Sequence, residues 1–318
     1  MHAIEASGLV KRYGEIQALG GVTFTVEEGE TFGFLGPNGA GKTTTIRILT
    51  GMTRATGGAA WIFRKDIARE TIAAKRFMGI VPETSNVYDD LSAWDNLIFN
   101  AELYGVSRPD RTRRAKELLE LFELWGRKDS PARGFSKGMK RRLTIAMGLI
   151  NDPRLLFLDE PTSGLDVQSN LIIRDVIRDL NERGVTVFLT THNIEEASVT
   201  CDRVAIVNKG QIAVIDSPER LKHTIESVQS IEFAFDPPSN DTIPYLENMN
   251  GVNEVRKNGD KVRIFSSDPG LIIDQVTAYA RERGIRVISV NTFGPSLEDV
   301  FIKITGISTR AKEAFTSD

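Results

Sequence analysis

The chain has 318 residues, 41% hydrophobic and 26% charged, with 40 Lys and Arg against 43 Asp and Glu for a net charge of −3. That length predicts one large domain plus a smaller one, and that charge argues against nucleic acid as the main partner. There is no run of roughly 18 to 20 apolar residues to cross a bilayer and no signal-peptide layout at the N-terminus, and the single cysteine, Cys201, has no partner for an internal disulfide. The expected location is the cytosol, with work at a membrane requiring recruitment by another protein.

Ile4 to Val26 alternates apolar and polar residues around YGEI and LGG, which predicts antiparallel strands. The apolar segment Thr31 to Leu35 predicts a strand that runs into GPNGAGKT, Gly36 to Thr43, and then a helix from Lys42 to about Thr50. The octapeptide fits the phosphate-loop pattern G-x-x-x-x-G-K-[ST]. Its glycines let backbone N–H groups converge on phosphates, and the following helix adds its positive end. Lys42 is the expected partner of the β- and γ-phosphates and Thr43 of Mg²⁺, with Gly36, Asn38, Gly39, Gly41 and Thr44 completing the candidate nucleotide site.

From Ala93 to about Ile150 strand signals vanish, and Leu118, Leu119, Phe122 and Trp125 fall at helical spacing, predicting a helical subdomain. Within it Lys140, Arg141 and Arg142 read as a solvated helix face rather than a nucleic-acid contact. Leu155 to Leu158 predicts a strand buried on both faces. It ends in Asp159 and Glu160, at the carboxyl edge where α/β sheets bind ligands, and that placement suits Asp159 to Mg²⁺ and Glu160 to polarising a water. A helix from Gln168 to Arg183 and strands at Val185 to Thr190 and Arg203 to Asn208 continue the α/β alternation. Beyond Pro218 and a connecting helix the predicted elements are a strand at Ser230 to Phe235, a helix at Thr242 to Met249, a hairpin of Asn253 to Lys257 with Lys261 to Phe265, a helix at Leu271 to Arg283 and a strand at Arg286 to Val290. That βαββαβ order predicts a small ferredoxin-like domain, with Pro244 weakening its first helix.

With these motifs in this order, the first 220 or so residues resemble the ABC ATPase family. The phosphate loop is followed by FSKGM, Phe135 to Met139, in place of the signature LSGGQ. Then come Asp159-Glu160, the SGLD of Ser163 to Asp166 as D-loop, and Thr191-His192 as switch histidine; upstream, Tyr13 matches the aromatic that stacks on adenine. The resemblance implies an α/β P-loop fold with a RecA-like core, an antiparallel β subdomain and a helical subdomain at about 84–150, all within 1–220, and an accessory or regulatory α+β domain at 227–318.

The resemblance also implies ATP and Mg²⁺ as cofactors, Glu160 and His192 as catalytic residues, and Ser136, Gly138 and Asp166 as nucleotide contacts. Because signature residues meet the γ-phosphate of the opposite subunit, it implies a homodimer or a sister ATPase subunit. The sequence departs from the pattern at Phe135, Lys137 and Met139, and at Glu83, which replaces the Q-loop glutamine and is expected to serve as a metal-side ligand with Thr43 and Asp159. The segment Gly294 to Gly306 resembles the tail of the daunorubicin-resistance and sodium-efflux type of ATPase. That implies export through a separate transmembrane permease subunit, with this chain peripheral on the inner face of the membrane. Leu91, Trp94 and Leu97 mark either a docking site for that subunit or ordinary core. The alternative, a soluble ABC protein acting on nucleic acid or the ribosome, is disfavoured by the single phosphate loop, the single cysteine and the lack of sustained heptads.

Overall fold

The structure, a computed structural model, describes residues 1–224, 229–236, 242–294 and 296–306. The chain divides into two compact units, Met1–Ser217 and Pro218–Asp318.

The first unit opens with β1 (His2–Tyr13), β2 (Ile16–Glu27), β3 (Thr31–Leu35), α1 (Lys42–Leu49), β4 (Gly57–Ile62), β5 (Lys65–Asp66), α2 (Thr71–Lys75) and β6 (Met78–Val81). Three helices follow, α3 (Ala93–Leu103), α4 (Arg108–Leu121) and α5 (Lys137–Leu149). The unit closes with β7 (Leu155–Asp159), α6 (Val167–Glu182), β8 (Thr186–Thr191), α7 (Ile194–Thr200), β9 (Arg203–Asn208) and β10 (Gln211–Asp216).

One sheet is antiparallel, in the order β2-β1-β4-β5; the other runs β10-β9-β3-β8-β7-β6, parallel except for β10 at its edge. In the parallel sheet β3 and β7 are buried at every residue, as expected where both faces are covered. Phe24 of β2 lies 5.6 to 5.9 Å, ring centre to ring centre, from Phe32, Phe34 and Phe188, and these rings tie the antiparallel sheet onto the parallel one. β4 has the sequence GGAAWI, poor in strand formers, and becomes a strand by pairing with β1; that is why it carries no signal in the sequence. Each of the three central helices starts on a serine that accepts the N–H of the residue three positions on: Ser92 from Asp95, Ser107 from Asp110 and Ser136 from Met139.

The second unit comprises α8 (Pro218–Thr224), β11 (Gln229–Asp236), α9 (Ile243–Leu246), β12 (Val252–Asn258), β13 (Lys261–Ser266), α10 (Pro269–Glu282), β14 (Arg286–Phe293) and α11 (Leu297–Thr305). Its sheet is antiparallel throughout in the order β12-β13-β11-β14, which is the ferredoxin-like arrangement. Ile231, Phe233 and Phe235 of β11 alternate onto one face and pack with Leu246, Ile264, Ile272 and Val276. The helix expected over Thr242 to Met249 is only four residues long, because the Asn248 and Met249 N–H groups turn back three residues, to Tyr245 O and Leu246 O, and close it; Pro244, in its first turn, is tolerated there. α11, unforeseen as an element, begins on a capping box between Ser296 and Asp299 and ends at Gly306, whose φ is 68°. Pro295 and residues 307–318 of this tail lie outside the described residues.

Candidate functional site

The loop between β3 and α1 gathers its glycines for different reasons. At Gly36 a Cβ would stand 2.5 Å from Val207 O, and at Gly41, where φ is +102°, it would stand 2.6 Å from Leu19 Cδ2. Gly39 has φ +80° with nothing within 4 Å of its Cβ direction, so conformation alone requires it. α1 carries no acidic residue in its first turn, which leaves its positive end available to an anion. Thr45 Oγ1 donates to Gly41 O at 3.0 Å within that first turn. Asn38 and Gly39 are exposed, and Thr43 and Thr44 are half-buried.

Lys42 is buried at 6% exposure. Its ammonium donates to Gly36 O at 2.6 Å and to Pro37 O at 3.2 Å, and pairs with Glu160 Oε1 at 3.1 Å. The other Glu160 oxygen, Oε2, lies 2.8 Å from His192 Nδ1; a carboxylate only accepts, so Nδ1 is assigned the proton. Glu160 itself is 8% exposed and has φ 48°. This left-handed conformation is uncommon for glutamate, and its N–H is anchored on Thr190 O and Thr190 Oγ1, each at 3.1 Å. Asp159 Oδ1 accepts from Thr190 Oγ1 at 2.5 Å and from Thr43 Oγ1 at 3.4 Å. The ends of β3, β7 and β8 thereby bring Lys42, Thr43, Asp159, Glu160 and His192 into one hydrogen-bonded group.

The remaining candidates are placed apart from that group's bonding. Tyr13 is exposed, with Lys11 Nζ 4.8 Å above its ring. The Ser136 hydroxyl caps α5. At Gly138 a Cβ would stand 2.1 Å from Ser169 Oγ, so the packing of α5 on α6 admits no side chain there. Asp166 caps α6, accepting from Ser169 N at 2.8 Å and Ser169 Oγ at 2.9 Å, and these bonds hold its carboxyl below the usual range. Glu83 is exposed, and its carboxylate makes no hydrogen bond or ion pair among the described residues; what the structure uses is its carbonyl, which accepts from Arg141 Nη1 at 3.0 Å. No group of three His, Cys, Asp or Glu among the described residues could hold a metal by itself.

The basic triplet corrects the reading of a solvated face. Arg141 is 3% exposed, Lys140 pairs with Asp89 at 2.5 Å, and Arg142 Nη1 donates to Phe122 O at 2.8 Å. Burial pulls the Arg141 guanidinium down to about 10, against the opposing pull of the Asp159, Glu83, Glu196 and Glu160 carboxylates, so it stays charged at neutral pH. The signal was available: Gly138, Arg141 and Ile145 share one buried face of α5. Of the proposed docking residues, Leu97 is fully buried and Trp94 packs edge-on against Trp125 at 6.2 Å, whereas Leu103 and Tyr104 at the end of α3 are exposed.

Two further residues escaped the sequence. Thr190 carries both Asp159 and the Glu160 N–H. Glu196, buried on α7, accepts from Thr162 Oγ1 at 2.7 Å, and burial pushes its carboxyl above the usual range. Neither belongs to a motif, and each finds its partner about 30 residues away or in another element.

Residues 19–163 match the ABC transporter family. The Nod factor export ATP-binding protein I of Rhizobium sp. (strain N33) is 37% identical over 312 residues, covering 96% of this chain and 97% of that protein. The daunorubicin resistance ATP-binding protein DrrA2 of Streptomyces coeruleorubidus is 34% identical, covering 98% of both. Among solved structures, the dimeric post-hydrolysis state of the ATP-binding cassette MJ0796 bound to ADP and Pi superposes with a TM-score of 0.61 and 27% identity, over 67% of this chain and 98% of that one. With the Gly36–Thr43 loop, Asp159, Glu160 and His192 meeting at one sheet edge, the chain belongs to the ATP-binding, ATP-hydrolysing subunits of ABC transporters.

Proposed function

We propose that this chain binds ATP with Mg²⁺ at the Gly36–Thr44 loop, hydrolyses it when paired with a copy of itself or a sister chain, and drives export through a separate membrane-spanning subunit from the cytoplasmic face. The observation that carries the chemical part is Glu160, one oxygen on Lys42 and the other on His192, beside Asp159. Lys42 is already desolvated and holds only carbonyls and one carboxylate, so phosphate oxygens are matched replacements for its partners. Its transfer to phosphate frees a Glu160 oxygen to accept the proton of an attacking water, while His192 keeps the other oxygen oriented.

Thr43 and Asp159, whose oxygens lie 3.4 Å apart, are fitted to hold Mg²⁺, since this ion takes one or two protein ligands and completes its shell with phosphates and water. When bound it neutralises charge on the β- and γ-oxygens. Glu83 enters this shell only if its loop brings the carboxylate inward.

Three features support the rest. Near-complete coverage of relatives named for Nod factor export and daunorubicin resistance favours export and a membrane partner, and among the described residues no helix is long and apolar enough to cross a membrane. Ser136 and Gly138 have no bond to the Lys42 and Glu160 group of their own chain, which favours a role across a dimer. Tyr13 and Asp166 are proposed as base and cross-subunit contacts, and the second unit as accessory. The test is Glu160→Gln, which should retain ATP binding and lose at least about 100-fold in turnover; turnover near that of the parent removes Glu160 as base.

A further inference from the structure

The guanidinium of Arg141 has five N–H donors, and all five are spent on backbone carbonyls. Nε donates to Pro161 O at 3.0 Å, Nη2 to Asp159 O at 2.7 Å and Glu160 O at 3.1 Å, and Nη1 to Glu83 O at 3.0 Å and to Pro82 O. Three of these acceptors are consecutive, at the turn that ends β7. Two are consecutive at the start of the loop after β6. The donor comes from neither, but from α5, the helix that opens at Ser136.

We propose that Arg141 is a positioning residue for hydrolysis, fixing the left-handed turn at Glu160 and fastening it to the Glu83 loop and to α5 as one unit. The inference rests on the reading of Glu160 as the water-activating base. Several carbonyls that converge on one point need a concentrated positive charge between them, and the turn that makes those of Asp159, Glu160 and Pro161 converge passes through φ 48° at Glu160. On the other side of that turn, the Glu160 carboxylate rests on Lys42 and His192. If the carbonyls lose their common donor, the turn can relax and carry the carboxylate off its two partners. The arrangement also means that displacement of α5, or of the Glu83 loop, reaches the catalytic carboxylate through one side chain. Neither lysine, a point charge with three donors, nor glutamine, with two, can hold five carbonyls.

The experiment compares Arg141→Lys and Arg141→Gln in the full chain, each assayed for ATP affinity, kcat and KM, alone and combined with Glu160→Gln. The expected result is ATP affinity within about threefold of the parent, since no Arg141 contact touches the phosphate loop, with kcat lower by roughly 10- to 100-fold and KM little changed. In the Glu160→Gln background the same substitutions should cost nothing more in single-turnover hydrolysis, because the group they position is already gone. A folded Arg141 variant with kcat within twofold of the parent overturns the proposal, as does a full additional loss in the Glu160→Gln background. Failure of both variants to fold overturns it in favour of a purely structural arginine. If Glu160→Gln itself turns over like the parent, it is the underlying base assignment that falls.

Discussion

The two units of the chain differ in how much charge they bury and where they put it. In Met1–Ser217, Glu30, Lys42, Arg141, Asp159, Glu160 and Glu196 are all buried, and the last five lie at the edge where β3, β7 and β8 end or on the helices beside it. In the second unit, among the described residues, the buried polar side chains are Ser230, Glu232, Thr242 and Ser266. Glu232 there is paired with Lys261 at 2.9 Å, and this bond keeps its carboxyl below the usual range. Desolvated charge is costly to a fold and is retained where chemistry needs it. The buried charges of the first unit thus gather at one sheet edge, whereas the second unit buries a single paired carboxylate among the described residues. Coverage points the same way: the cassette structure spans 67% of this chain, about the share of Met1–Ser217, whereas the export relatives span 96% to 98%.

The largest effect expected from this comparison is in the second unit. Phe233, fully buried at the centre of its core, should cost about 3–5 kcal/mol on replacement by alanine. Thermal unfolding followed together with ATP binding should show that loss while affinity is unchanged; weakened ATP binding at a temperature where the first unit is intact would break the separation. Next in size is Lys42→Ala. Losing a charged hydrogen bond to phosphate is worth about 1.5–3 kcal/mol, so ATP affinity measured by titration should fall by roughly 10- to 100-fold, with a loss of stability beside it because the buried Glu160 carboxylate is left without its cationic partner. An unaltered affinity would mean that Lys42 serves the fold rather than the ligand.

The smallest effect concerns Glu196. Burial raises its folded pKa above the ordinary 4.5, so just above that pH the folded chain holds a proton that the unfolded chain has released. Stability from this group is thus lost as pH rises from 4.5 through the raised value. Glu196→Gln keeps a carbonyl oxygen for Thr162 and cannot ionise. The unfolding midpoint of the variant, relative to the parent, should rise as pH is taken upward from 4.5; a difference independent of pH would show that Glu196 does not titrate with folding.

What the sequence determined by itself were features whose chemistry is confined to one short stretch of chain. The phosphate loop needs glycine, lysine and threonine at fixed spacing, and the carboxylates need the end of a doubly buried strand, so Gly36 to Thr43 and Leu155 to Glu160 were legible without coordinates. β3, β7 and the βαββαβ order of the second unit were legible for the same reason: apolar periodicity is a local property. The tertiary structure alone decided the rest. The sequence showed Arg141 as one of three basic residues on a helix, and only folding brings it to carbonyls 18 to 20 and 58 to 59 positions away. The sequence showed Gly138 as a signature glycine, and only the fold places Ser169 Oγ 2.1 Å from where its Cβ would stand. Glu83 stands at a motif position where the pattern has glutamine, and only the fold ties its carbonyl to that same arginine and leaves its carboxylate exposed. Such roles are fixed by hydrogen-bond partners distant along the chain, and a donor's residue type does not reveal which acceptors the fold will place around it.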